Sequence, residues 1–365
     1  MSLKLRNLQA LRGVACLLVV LFHTADWELR SGVNPTWLFL YPFEFFGYGG
    51  VDLFFVISGF IITWVHFDKL GRPSELPGYA FKRFWRIYPS FWVCMLGSVL
   101  ILQTWLKLPA IRVPDFGKTL RWVTLLPQEH PNWFLIHTWS LTYELTYYLA
   151  FAAFFLLPRR GFAPVLAAWF AATVWLRYVA RAELPFAVAF LVLPFTLEFL
   201  LGCFVALALR HRLTAGGGAC AALGAGWILA GAWLNYAGWT QAANDVDHRF
   251  VLFGLPAALL VYGLTARESA GRGVLPRWLQ SFGDASYSIY LWHVTIFFVV
   301  KHVTRNWTHT AGPHLLWVAL MIGAAVGVGY LSYYRVERPL LDWARRRRGA
   351  APAEAGAPLT RRAAA

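Results

Sequence analysis

The 365 residues are 58% hydrophobic, 17% aromatic and only 14% charged, with a mean hydropathy of +0.51. Soluble globular domains average roughly 45–50% apolar and about 25% charged, so the composition excludes an ordinary soluble fold. The formal net charge of +15 does not point to nucleic acid, because Lys and Arg fall in short bursts between apolar runs, as topology signals do.

In chain order, apolar runs approaching the roughly 20 residues that cross a bilayer predict ten membrane helices. They cover 8–25, 44–65, 88–106, 133–157, 162–180, 188–209, 217–237, 249–266, 286–303 and 314–334. The first run has no small-residue cleavage site behind it and is expected to stay as a helix rather than leave as a signal peptide. The sixth contains Pro194 and Glu198, a break that neighbouring helices have to satisfy. Lys and Arg concentrate in the N-terminal tail, the even-numbered connections and the C-terminal tail, which predicts both termini on the cytoplasmic side. The third connection dissents with Lys107, Arg112, Lys118 and Arg121 and is expected to fold back as an amphipathic or re-entrant segment. Beyond Trp343 the chain is rich in Ala, Arg, Gly and Pro, which predicts a disordered basic cytoplasmic tail over 344–365 after a membrane domain over 1–343. Arg345 to Arg348 suit anionic lipid headgroups. Cys16, Cys94, Cys203 and Cys220 sit inside apolar runs at no metal-ligand spacing and are expected to be packing residues. The expected fold is an all-α integral membrane protein.

Ionisable groups inside membrane helices mark function by default. In the first helix, LQALRGVACLLVVLFHTADW, Arg12 and His23 point within about 20° of one direction and lie about 16 Å apart along the axis. Asp26, three residues after His23, is spaced to orient the imidazole. The plainer alternatives are a snorkelling anchor and an interfacial histidine. In FKRFWRIYP, at 81–89, Lys82, Arg83 and Arg86 lie within two turns. Arg83 and Arg86 are surface neighbours suited to bidentate phosphate binding, or to a simple positive-inside anchor. HTWSLTYELTYY, at 137–148, puts Ser140, Glu144, Tyr147 and Tyr148 on one face. A glutamate buried there has to be protonated or paired. It serves as an acid/base, as a holder of a sugar hydroxyl, or as a structural hydrogen bond to another helix. Asp52 follows a glycine pair that permits close helix approach. His293 is expected to be a structural hydrogen-bonder, and Glu337 with Arg338 a local clamp. No Gly-rich phosphate loop, nucleophile elbow or metal-ligand cluster is apparent.

Together these pieces resemble the membrane-bound acyltransferase 3 family, which acylates sugars and other exported molecules. The motifs LRGVACLLVVLFH, GGVDLFFVISGFIIT, FKRFWRIYP, WSLTYE, YSIYLWH and VERP carry the likeness in order across 8–343. The resemblance implies that Arg12 and His23 are essential, that Arg83 and Arg86 engage acyl-CoA from the cytoplasmic side, and that Trp139, Ser140 and Glu144 lie near the active site. Some members of that family carry a fused hydrolase-like domain after the membrane part, and none is expected here. The resulting assignment makes His23, Asp26 and Glu144 catalytic, with either carboxylate holding the imidazole tautomer. Arg12, Arg83 and Arg86 bind the donor, and Trp139, Ser140 and Asp52 bind the acceptor, with no metal. Acetyl-CoA is the expected donor and a carbohydrate the expected acceptor, in a bacterial inner membrane. Trp27, Trp37 and Trp139 are candidates for a sugar platform. A transporter or flippase of lipid-linked glycans needs the same helices and intramembrane charges and is the competing class. The acceptor, the acyl chain length, the choice between direct transfer and an acyl-histidine, and the oligomeric state are left open by the sequence.

Overall fold

The computed structural model describes residues 5–30, 39–107, 116–128, 135–240, 245–307 and 311–347. Trp37, Arg112 and the expected tail beyond Arg347 lie outside these residues. Regular structure among the described residues is entirely helical.

Helix α1 spans Arg6–Leu29 and α2 spans Gly49–His66. Helix α3 begins at Leu76 rather than near 88 and runs through Val99 into a π-turn at Leu100–Trp105. FKRFWRIYP therefore lies within the helix instead of before it, and Pro89, which removes one backbone donor, is accommodated inside it. The chain then folds back. Helix α4 (Phe116–Thr124) ends with the carbonyls of Val123 and Thr124 accepting from Trp92 Nε1 and Tyr88 Oη, each at 2.8 Å. Both side chains belong to the middle of α3, so the segment returns about 20–25 Å from the Trp105 end. Lys118 and Arg121 ride on this re-entrant amphipathic helix, which exposes Phe116 and Leu120.

Helix α5 covers Trp139–Ala152 and α6 covers Phe162–Val174. The sixth expected span is broken where its proline predicts. A short α7 (Phe186–Ala189) precedes α8 (Pro194–Arg210), which opens on Pro194, where a missing N–H costs nothing. Helix α9 is Gly217–Tyr236. Helix α10 (Val246–Arg249) is capped by Asp245, whose carboxylate accepts from the backbone N–H of Asp247 and His248 at 2.9 and 3.3 Å. A π-turn at Phe250–Gly254 leads into α11, Leu255–Ser269. Helix α12 is Arg277–Val303, and α13 (Ala311–Ser332) continues through a π-turn at Tyr333–Glu337 into α14, Arg338–Arg347. The helical chain thus passes the expected boundary at 343.

Among the described residues, seven segments are long and apolar enough to cross a membrane: Arg6–Leu29, Gly49–Lys69, Pro73–Trp105, Arg159–Val179, Gly217–Tyr236, Val246–Ser269 and Pro313–Arg347. The other three expected spans are also helical, as α5, α8 and α12. The first two are shorter, and α12 carries buried Ser286, Ser288 and His293. The protein is an all-α, multi-pass membrane protein.

Two close crossings hold the centre. Helix α2 packs chiefly on α8, and α1 on α12. A Cβ on Gly59 would strike the Phe199 carbonyl, and one on Gly202 the Val56 carbonyl. At the second crossing, a Cβ on Gly283 would strike the Gln9 carbonyl. Without lipid-phase hydrophobic drive between helices, such small-residue contacts supply the packing. The α1–α12 crossing also brings the polar face of α12 against the face that carries Arg12 and His23.

Candidate active site

Two chambers open along that face, one at each end of α1. The first, about 580 Å³, is lined by Arg12, Lys82, Arg83, Arg86, Glu144 and Arg345, together with Tyr148 and Tyr290. Arg12 lies near the start of the described chain and Arg345 near its end, so both ends meet at this basic chamber. Arg12 donates to Gln9 Oε1 at 3.3 Å and Ser286 Oγ at 3.1 Å. Arg83 lies over the Tyr148 ring at 5.2 Å, and its Nε is buried with no hydrogen-bond partner. Arg86 is not held the same way. It pairs with the fully buried Glu337, which the π-turn at Tyr333–Glu337 presents and to which Ser288 also donates at 2.7 Å. The expected Glu337–Arg338 clamp is therefore corrected: Glu337 serves Arg86, and Arg338 turns to Asp342 at 3.9 Å.

Glu144 belongs to the basic chamber and does not hold the His23 imidazole. Its Oε1 accepts from Ser58 at 2.9 Å and from Tyr148. Ser140, Glu144 and Tyr148 share the expected face, whereas Tyr147 turns towards α8 and meets Thr196 at 3.3 Å.

The second chamber, about 700 Å³, is lined by His23, Asp26, His137, Trp139, Tyr143 and Arg249. Its aromatic wall is continuous: the Trp139 ring lies 5.2 Å from Phe195 and 5.7 Å from Tyr143, which stacks on Phe190 at 4.6 Å. Trp27 lines the opposite side beneath Lys301, 4.8 Å from its ring. Asp26 shares the chamber with His23, but its carboxylate is engaged by Arg30 at 2.9 Å. The neighbours of His23 are the Val19 carbonyl, 3.0 Å from Nδ1, and His293 Nε2, 3.4 Å from the same atom. Neither expected carboxylate holds the imidazole. Near the Asp26–Arg30 pair, Glu44 is half-buried; desolvation and the nearby Asp26 raise its carboxyl to about 7 against the pull of Arg30.

Asp52 lines neither chamber, which corrects its assignment to the acceptor. It is fully buried, and both its oxygens accept from Arg249 Nε at 2.9 Å. Arg249 in turn lies over the Tyr48 ring at 5.0 Å and reaches the second chamber. Glu198 is buried beside Gly254, in the π-turn after Arg249.

Hydrogen bonds link the linings of the two chambers. Ser140 Oγ and Tyr290 Oη, which face the basic chamber, are 2.7 Å apart, and Tyr290 Oη donates to the His137 carbonyl at 2.6 Å. His137 itself faces the other chamber. His137, Tyr290 and Arg249 escape the sequence reading. The first two stand inside motifs that draw attention for other residues, and Arg249 gives no local signal. Among the described residues, no group of three or more His, Cys, Asp or Glu side chains is arranged to hold a metal ion.

The profile of the acyltransferase 3 family, an acyltransferase domain, matches residues 5–333. The exopolysaccharide production protein ExoZ of Rhizobium meliloti is 30% identical, over 90% of this chain and 96% of its own. The putative membrane-bound transacylase BcsY of Komagataeibacter xylinus is 27% identical over 95% of this chain and 87% of its own. The acyltransferase MdmB of Streptomyces mycarofaciens is 26% identical over 96% and 95% respectively. No solved structure shows significant similarity. With this match over nearly all its helices, the chain belongs to the acyltransferase 3 family and is a membrane acyltransferase.

Proposed function

We propose that the protein moves an acetyl group from cytoplasmic acetyl-CoA to a hydroxyl of an exported or cell-surface glycan, in a bacterial inner membrane with both termini inside. The observation that carries this reading is that one helix, α1, presents Arg12 to one chamber and His23 to the other, with Ser140, Tyr290 and the His137 carbonyl hydrogen-bonded between them. The names of the relatives, one in exopolysaccharide production and two acyl-transferring, support the glycan acceptor and the acyl donor.

In this reading the donor's phosphates meet Arg12 and Arg83, while Arg86, already matched by Glu337, braces the chamber wall. Guanidinium groups suit this task because they pair with phosphate through two parallel hydrogen bonds. The pantetheine arm follows α1 for about 16 Å, carrying the thioester to the wall at Ser140 and Tyr290. The glycan occupies the second chamber against Trp139, Tyr143 and Phe195, where sugar C–H faces pack on aromatic rings. His23 takes the proton of the attacking hydroxyl. The oxygen–acyl bond forms, the carbon–sulfur bond breaks, and the protonated imidazole returns its proton to the thiolate. A neutral imidazole suits such a base.

The test is transfer of label from radiolabelled acetyl-CoA to alkali-labile ester in polysaccharide, using purified protein in bilayers. We expect His23→Ala to lose about 10³-fold in rate while remaining monodisperse and membrane-inserted. Wild-type transfer by that variant removes His23 from the mechanism. Glycan translocation without ester formation by the wild type establishes a transporter instead.

A further inference from the structure

We propose that His293 is the positioning residue for His23, occupying the place where a carboxylate was expected; this deepens the function proposed above and rests on it. The assignment follows from donors and acceptors. His293 Nδ1 lies 2.6 Å from the Tyr290 carbonyl, which only accepts, so Nδ1 carries the hydrogen and Nε2 the lone pair. His23 Nδ1 faces two acceptors, the Val19 carbonyl at 3.0 Å and that lone pair at 3.4 Å, so its hydrogen is shared between them. His23 Nε2 is then left unprotonated in the residue that lines the second chamber, ready to receive the hydroxyl proton. The hydrogen bond of one ring nitrogen sets the state of the other.

The surroundings favour a neutral partner. Asp26 is occupied by Arg30, and Glu144 lies in the other chamber. On the far side of His293 is His137, with ring centroids 4.8 Å apart and its Nε2 3.2 Å from the Leu291 carbonyl. Three imidazoles in sequence disfavour a second positive charge, since like charges at this range repel. During transfer the acceptor O–H proton passes to His23 Nε2. The imidazolium's Nδ1–H stays shared between the Val19 carbonyl and His293 Nε2 until the Nε2 proton leaves with the thiolate. His293 touches no substrate and acts only through His23.

Two variants and two readouts test this. His293→Leu removes the acceptor, whereas His293→Gln places an amide oxygen within reach of it. With labelled acetyl-CoA and the polysaccharide of the producing cells, we expect His293→Leu to lose on the order of 10²-fold in kcat, with the donor KM unchanged. His293→Gln should recover at least about tenfold of that loss. A merely structural histidine would not separate the two variants at equal monodispersity. Histidine ¹⁵N NMR of the wild type in bilayers reads the tautomer without turnover, and His23 should carry its hydrogen on Nδ1. A His23 protonated on Nε2, full kcat in His293→Leu, or a Gln variant as inactive as the Leu variant overturns the proposal. A wild type that transfers no label overturns the function instead, while the tautomer still decides the histidine pair.

Discussion

The two chambers satisfy their charges in opposite ways. In the second chamber the lining carboxylate Asp26 is engaged by Arg30, and the lining Arg249 is matched from behind by the buried Asp52, so imidazoles and aromatic rings dominate the cavity wall. In the basic chamber arginines outnumber the carboxylates that face them. Glu337 matches Arg86, Glu144 is bound to Ser58 and Tyr148, and Arg83 keeps a buried Nε with no partner. A buried donor left unsatisfied costs about 1–3 kcal/mol, so this excess of positive charge is expensive unless an anion arrives to use it. In the proposed function the first chamber receives the anionic donor and the second handles the proton.

The sharpest way to break this comparison is at Arg86. Arg86→Met leaves Glu337 buried beside Ser288 alone and should cost about 3 kcal/mol of stability, measured as the unfolding midpoint in detergent. The double variant Arg86→Met/Glu337→Met should recover most of that loss, because removing both partners leaves no stranded charge. A double variant less stable than the single one would show that the two residues do not act as a pair. A smaller effect is expected at Arg83. Arg83→Met should raise the donor KM about tenfold, the loss of a charge-assisted hydrogen bond of roughly 1.5 kcal/mol, and leave the acceptor KM alone. An equal rise in both would remove the distinction between the chambers.

The smallest effect concerns Glu44, beside the Asp26–Arg30 pair. Glu44 holds its proton more tightly when folded, with its carboxyl raised from 4.5 to about 7. A raised carboxyl means that the folded protein binds more protons than the unfolded chain between those values, so stability falls as pH rises through that window. Glu44→Gln should flatten this dependence, seen by comparing unfolding midpoints at pH 5 and pH 7.5. An unchanged slope in the variant would assign the dependence to other groups.

Much of the fold was legible because bilayer crossing is a local demand. Apolar length, Gly and Pro placement and basic bursts revealed the helices, the break at Pro194 and the fold-back at Lys118 and Arg121. Helical phase likewise put Arg12 and His23 on one face. Phase says which way a side chain points but not what stands opposite it. Arg86 meets Glu337 across 251 positions and Arg249 meets Asp52 across 197, pairings that no spacing within one helix could reveal. Asp26 and Glu144 were assigned to His23 because they were the nearest acids in sequence and in motif. In the fold an arginine and a serine–tyrosine pair reach them first. His293 was read alone as a structural hydrogen-bonder, and only the α1–α12 crossing at Gly283 brings it to His23.

The division of labour between chambers is tested most directly in sealed inverted membrane vesicles, with labelled acetyl-CoA supplied only outside and polysaccharide enclosed in the lumen. We expect alkali-labile label to accumulate on the enclosed polysaccharide while intact acetyl-CoA stays outside, and to be lost in His23→Ala. Label that reaches only acceptors added to the same side as acetyl-CoA contradicts a path running from the basic chamber to the histidine chamber.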